Sequence, residues 1–186
     1  MRGPFRIEAY AIASADGMIA DSTGRVPTSL KLEADRHQFE QGLDRAAVLA
    51  HGRNSHEGQP NSPFRRRLIL TRRIPSLALV PDNANARLWN PAGASLEQAC
   101  AAVGCSAGTI AVIGGPDVYS LFLQIGYDDF RLSRAVKAPL PGGLPLFAEG
   151  RLGLTPEQVL SGARLKAGPT QWLDADVTFV EWKSSA

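Results

Sequence analysis

Three short uncharged runs constrain this chain more than anything else in it: residues 46–50 (AAVLA), 68–70 (LIL) and 109–113 (TIAVI). A half-exposed strand alternates apolar with polar residues, whereas a strand covered on both faces reads as a continuous apolar run, the pattern of a parallel sheet with helices on each side. Helical spacing returns between the runs, notably over residues 95–102 and 116–124. Strands and helices that alternate in this way predict an α/β sheet with crossover connections. The end of the chain differs. Residues 130–136 and 175–182 (ADVTFVEW) read as strands with no strong helix immediately between them, which predicts an antiparallel edge added late.

The first part of the chain completes this pattern. Residues 5–13 alternate as a strand, and Ser14-Ala15-Asp16-Gly17 is a turn signal leading to a polar loop that ends at Pro27. Thr28 or Ser29 is placed to cap a helix in which Leu32, Phe39 and Leu43 share one face. No repeat or long linker divides the 186 residues, so residues 1–186 are expected to form one domain. A chain of this length, 44% hydrophobic, buries a core without disulfides or a structural metal.

Composition removes several function classes. Cys100 and Cys105 have neither a disulfide framework nor the two-residue spacing of a zinc or redox pair, which points to a cytoplasmic protein. No apolar run precedes the charges of Met1 to Glu8 and no window is apolar enough to span a bilayer, so neither a signal peptide nor a membrane partner is expected. His37, His51 and His56 lack metal-ligand spacing, and no nucleophile elbow occurs. Twenty basic against 18 acidic residues leave +2, too balanced for a general nucleic-acid binder. The basic residues are nevertheless 16 Arg and 4 Lys. Arginine's fork suits phosphate and carboxylate, and a genome rich in G and C inflates arginine too, so position must decide between the two causes.

Position gathers several arginines at strand ends. The run at 109–113 turns through Gly114-Gly115 into a helix with Pro116 at its first position. Glycines admit close backbone approach, and a helix N-terminus attracts an anion. The turn is neither GxGxxG nor a P-loop, and a plain strand-to-helix turn is its other reading. His51-Gly52-Arg53-Asn54-Ser55-His56 follows the first apolar run, with a short helix expected near Arg53 or Ser55, and Thr71-Arg72 follows the second. Ligands of open α/β sheets sit beyond the carboxyl ends of strands, so one anion-rich ligand fits Arg53, Thr71, Arg72, Gly114 and Gly115. Arg66, Arg67 and Arg73 read as solvated surface.

Asp35 is out of place on its helix, three residues after Leu32 and four before Phe39, and thus on the apolar stripe. A carboxylate there is either a functional acid with a raised pKa or a helix-edge partner of Lys31.

Together these segments resemble the dihydrofolate reductase superfamily, including the riboflavin-pathway pyrimidine reductases. The landmarks are Ser14-Ala15-Asp16-Gly17-Met18-Ile19-Ala20, Gly52-Arg53-Asn54-Ser55-His56, Leu70-Thr71-Arg72 and Ile113-Gly114-Gly115-Pro116-Asp117-Val118-Tyr119. The resemblance implies the family's three-layer α/β sandwich and NADPH as cofactor. It implies that Gly114 and Gly115 lie on the pyrophosphate, Arg53, Ser55, Thr71 and Arg72 around the adenosine phosphates, and Tyr119 near the nicotinamide, with Ile19, Gly52, Asp117 and Val118 also on the cofactor. Arg53 and Arg72 suit a 2′-phosphate, where a chain built for NADH carries an acid. By the same resemblance Asp35 grips the amino and ring nitrogens of a pterin with Ser133 assisting it, Phe39 lines the substrate, and Arg65 holds the substrate's tail carboxylate.

Two subfamilies are mixed here. Thr28 follows Pro27 where folate enzymes have Trp, and Ser14 to Ala20 together with Pro141-Gly142-Gly143-Leu144-Pro145-Leu146-Phe147 is similar to the pyrimidine reductases, while Gly52 to Glu57 is similar to the folate enzymes. The implied activity is reduction of a C=N bond in dihydrofolate, dihydromethanopterin or a related dihydropterin. Its alternatives are reduction of 5-amino-6-(5-phosphoribosylamino)uracil and a non-catalytic NADPH or pterin binder. Folate members are commonly monomers and pyrimidine-type relatives dimers, so a homodimer stays open.

Overall fold

The computed structural model describes residues 4–55 and 57–185, so His56 of the Gly52 motif and the first three residues lie outside the described residues. The elements in chain order are β1 (Phe5–Ser14), β2 (Met18–Ala20), α1 (Glu33–Arg45), β3 (Val48–Gly52), β4 (Arg67–Leu70), β5 (Leu77–Val80), β6 (Asn83–Trp89), α2 (Leu96–Ala102), β7 (Gly108–Val112) and α3 (Pro116–Ile125). They continue with β8 (Asp129–Ala135), β9 (Leu144–Pro145), α4 (Pro156–Gly162), β10 (Leu165–Ala167), β11 (Gln171–Trp172) and β12 (Val177–Ser184).

Among the described residues ten strands form one sheet, in the order β10-β12-β8-β1-β7-β3-β4-β6-β5 with β11 also on β12. The three apolar runs lie side by side as β7, β3 and β4, and β8, β1, β7, β3, β4 and β6 are mutually parallel. Their side chains divide between the two faces with the period of two that a pleat imposes. Val48, Ala50, Ile110 and Val112 join Ala99 and Phe122 of α2 and α3 in one core cluster. Leu49 and Ala111, between them in sequence, join Tyr10 and Leu43 in a second, beneath α1. The expected arrangement of a mostly parallel sheet with helices on both faces is therefore what the residues build, and β12 adds the antiparallel edge through Phe179↔Ser133 and Glu181↔Arg131.

The helix after Pro27 starts later than expected. Thr28–Leu30 closes a 3₁₀ turn, with the Leu30 amide on the Pro27 carbonyl, because Leu30 is drawn into the core at 2% exposure. The chain then extends at Leu32 and α1 begins at Glu33, so neither Thr28 nor Ser29 caps it and Lys31 is not on the helix. Among the described residues no helix begins directly after Gly52 either: a turn follows, closed by the Ser55 amide on the Gly52 carbonyl. Further elements were not among those expected. β5 and β6 form an antiparallel hairpin at the sheet margin, and α4 intervenes between β8 and β12, capped by the Thr155 and Gln158 side chains. Met18–Ala20 and Leu144–Pro145, the two segments similar to pyrimidine reductases, pair as an antiparallel ribbon.

Candidate active site

The sheet order sets the carboxyl ends of β7, β3 and β4 side by side, and there the glycines make a cradle. The Gly52 amide donates to the Gly114 carbonyl over 2.7 Å. Gly114 has φ +98°, and a Cβ on it would stand 2.9 Å from the Tyr119 ring. A Cβ on Gly115 would stand 3.4 Å from Ser55 Oγ. The backbone is thus exposed where side chains would cover it, at the start of a ten-residue helix that no side chain caps and that begins with Pro116. Arg53, Arg72 and Arg73 stand exposed beside this cradle; Arg72 shares Asp117 at 3.4 Å, and both partners of that pair are largely solvated. Bare backbone amides at a helix N-terminus ringed by cations fit the phosphates of a dinucleotide.

A cavity of about 1310 Å³ runs from the cradle along the sheet to α1. Asp35 and Ser133 lie on its wall at the α1 end. Ser133 is 3% exposed, in register with Ile12 of β1 and Phe179 of β12. Burial lifts the Asp35 carboxyl above its ordinary pKa, and the hydrogen bond with the Ser133 hydroxyl offsets only part of that lift. Lys31 is not its partner. Phe39, one turn after Asp35, meets the Tyr10 ring edge-on at 6.4 Å, and Gly42 lets α1 sit on that ring, since a Cβ there would come within 2.3 Å of it. A half-buried carboxyl beside a buried hydroxyl, between aromatic walls, can hold a flat heterocycle by adjacent N–H donors and fix its plane.

Ile19, Phe39, Gly52, Arg53, Ser55, Thr71, Arg72, Gly114, Gly115, Asp117, Val118, Tyr119, Asp35 and Ser133 all line this one cavity. Tyr119 does so from a buried position, its hydroxyl bonded to the Tyr10 carbonyl at 2.6 Å. Arg65 does not. Its guanidinium is held by Asp44 at 2.5 Å and Glu57 at 3.2 Å, outside the cavity wall, so the tail-carboxylate role is not carried to it. Arg67 is not surface either: it is 6% exposed, on Glu57 at 2.9 Å and the Ser62 carbonyl at 2.6 Å, because β4 points it inward under the loop after β3. Arg73 joins the cavity rim despite reading as mere surface. Arg131 and Tyr10 also line the cavity and were not foreseen, although the alternation Arg131-Leu132-Ser133 already put Arg131 on the face of Ser133. Among the described residues no group of side chains could hold a metal ion, and no helix is long and apolar enough to cross a membrane.

The fold is that of the dihydrofolate reductase-like class. No family model and no curated protein sequence matches the chain, but solved structures do. A bifunctional diaminohydroxyphosphoribosylaminopyrimidine deaminase/5-amino-6-(5-phosphoribosylamino)uracil reductase from Thermotoga maritima is similar over 99% of this chain, with TM-score 0.67 and 16% identity. This chain spans only 57% of that protein's length. A pyrimidine reductase-like protein from Corynebacterium diphtheriae is similar over 97% of this chain and 92% of its own, with TM-score 0.66 and 15% identity. Dihydrofolate reductase from Enterococcus faecalis, solved with NADP(H), is similar over 96% and 95%, with TM-score 0.61 and 14% identity.

Proposed function

We propose that this protein is an NADPH-dependent reductase that acts on a C=N bond of a dihydropterin, of the dihydrofolate or dihydromethanopterin class. The observation that carries the proposal is the Asp35 carboxyl, bonded by Ser133 and half-enclosed, in the same cavity as the glycine cradle. In this reading Asp35 and Ser133 accept the ring's adjacent N–H groups, and Phe39 packs on its face. Gly52, Gly114, Gly115, Ser55 and Thr71 present short or absent side chains to the cofactor's phosphates, and Arg53 and Arg72 supply the charge for its 2′-phosphate. Ile19, Val118 and Tyr119 wall the passage between the two halves, and Asp117 steadies Arg72. NADPH, when bound, supplies the hydride. A water molecule admitted at the cavity mouth is the proton source.

Reduction of 5-amino-6-(5-phosphoribosylamino)uracil is the second reading. It is favoured by the β2–β9 ribbon, built from the two segments similar to pyrimidine reductases, and by a TM-score of 0.67 to a protein of that named activity against 0.61 to dihydrofolate reductase. The test is loss of NADPH absorbance with dihydrofolate, dihydromethanopterin and the aminouracil phosphate in parallel. Turnover of a dihydropterin supports the first reading and turnover of the aminouracil alone the second. Binding of NADPH without any turnover would make the protein a binder.

A further inference from the structure

Arg131 is a cation inside the cavity that the clamp of Asp35 and Ser133 does not require. It lies on β8 two residues before Ser133, on the same face and about 7 Å along the strand. Its neighbours in register are Tyr10 on β1 and Glu181 on β12. The guanidinium sits 5.5 Å from the centre of the Tyr10 ring and 3.3 Å from the Glu181 carboxylate, and only a quarter of the side chain is exposed. Both contacts hold the fork in one place, whereas Arg36 and Arg151 at the rim are exposed. Glu181 accounts for one of its terminal nitrogens, and among the described residues its Nε–H is enclosed with no hydrogen-bond partner. Guanidinium has five donors and no acceptor, so what it faces in the cavity must offer an acceptor.

The surrounding charge decides which acceptor. Besides Glu181, Glu8 is close enough for Arg131 to favour its ionised form, and Glu40 of α1 lines the same cavity. A phosphate or carboxylate tail would enter among these acids, while a neutral carbonyl oxygen meets the donors without repulsion. We infer that Arg131 donates to a ring carbonyl of the substrate, beside the N–H edge taken by Asp35 and Ser133, and so selects oxo-substituted over amino-substituted rings. The inference rests on the heterocycle-clamp reading of Asp35. A 2,4-diamino ring would set amino donors against the donors of the guanidinium, where the oxo ring sets an acceptor.

The test is equilibrium binding of 2-amino-4-oxopteridine and 2,4-diaminopteridine to the full chain in the presence of NADPH. The wild type should prefer the oxo ring by about tenfold or more. Arg131→Gln should bring the two rings to within about threefold of each other, and so should the double variant Arg131→Gln/Glu181→Gln, which strands no carboxylate and guards against a folding defect in the single one. Asp35→Asn should weaken both rings together. Equal or diamino-favouring binding by the wild type, or a preference that survives the double variant, overturns the inference while leaving the clamp intact. If the wild type binds neither ring, the heterocycle reading falls and the inference falls with it.

Discussion

The hydroxyl of Tyr119, in the first turn of α3, donates to the backbone carbonyl of Tyr10 in β1 across 2.6 Å. The bond joins the glycine cradle to the strand that faces α1, and the Tyr119 ring, packed on Phe130 and Phe147, supports Gly114 from below. Burial, with the charge of Asp35 adding to it, pushes the phenol far above its ordinary pKa and keeps it a neutral donor. Tyr119→Phe keeps the ring and strips a buried carbonyl of its partner, so urea unfolding should show a loss of about 1–3 kcal/mol. An unchanged midpoint and slope would mean that the bond contributes nothing.

Asp35→Asn should move activity and stability in opposite directions. Losing a charge-assisted contact of about 1.5–3 kcal/mol lowers kcat/KM roughly 10- to 150-fold on the substrate that is turned over. The folded-state pKa of Asp35 lies above its ordinary 3.8 because of burial. Folding therefore favours the protonated carboxyl, and that advantage is lost as pH rises through the raised value. Asparagine has no charge to desolvate, so the variant should melt higher than wild type at neutral pH, with the difference vanishing below the ordinary carboxylate range. A variant less stable at neutral pH would show that ionised Asp35 is well solvated or well paired.

Arg53→Ala and Arg72→Ala address cofactor choice. Both side chains are exposed at the cradle, and Arg72 is only loosely engaged by Asp117. If they meet a 2′-phosphate, each substitution should raise the KM for NADPH by roughly tenfold and leave the KM for NADH nearly unchanged. The NADPH effect should shrink in high salt, as screened surface charges do. Equal losses for the two dinucleotides would assign the arginines to the pyrophosphate instead.

What was legible in the sequence was whatever burial on two faces wrote into it. The runs over β3, β4 and β7 had to be apolar, so the centre of the sheet and the ligand edge at their carboxyl ends could be read directly. Asp35 could be found because it breaks the stripe it sits on. β5 was missed although Leu77–Val80 is a continuous apolar run, and β6 was not legible because a strand near the sheet margin tolerates residues such as Asn83 and Asn85. The start of α1 was misread because Leu30 is held by the core, and no local capping preference reports a tertiary contact. Arg67 was misjudged because an arginine is polar in any sequence pattern, and only the fold shows that it has found a buried acid in Glu57.

The Arg67–Glu57 pair should matter more to the fold than any surface arginine. Glu57 is 8% exposed and carries the loop that brings Arg53 and Ser55 to the cradle, while Arg67 reaches it from β4 at 2.9 Å and also bonds the Ser62 carbonyl. Burial alone would raise the Glu57 pKa, but the Gln59 amide, Ser62, Arg67 and Arg65 outweigh it and hold the carboxyl below its ordinary 4.5. The stability this contributes is present above 4.5 and is lost as pH falls through the depressed value. Arg67→Met removes one of the two arginines on a buried carboxylate, with Arg65 and the Gln59 amide still in place, and should cost about 1.5–3 kcal/mol in chemical unfolding at neutral pH. Adding Glu57→Gln removes the under-paired charge, so the double variant should recover at least half of that loss at neutral pH, and its advantage over the single variant should shrink in mild acid as the carboxylate is protonated. With Glu57→Gln alone as the other arm of the cycle, strictly additive losses would show that the pair is not coupled and that the loop is held by its other contacts.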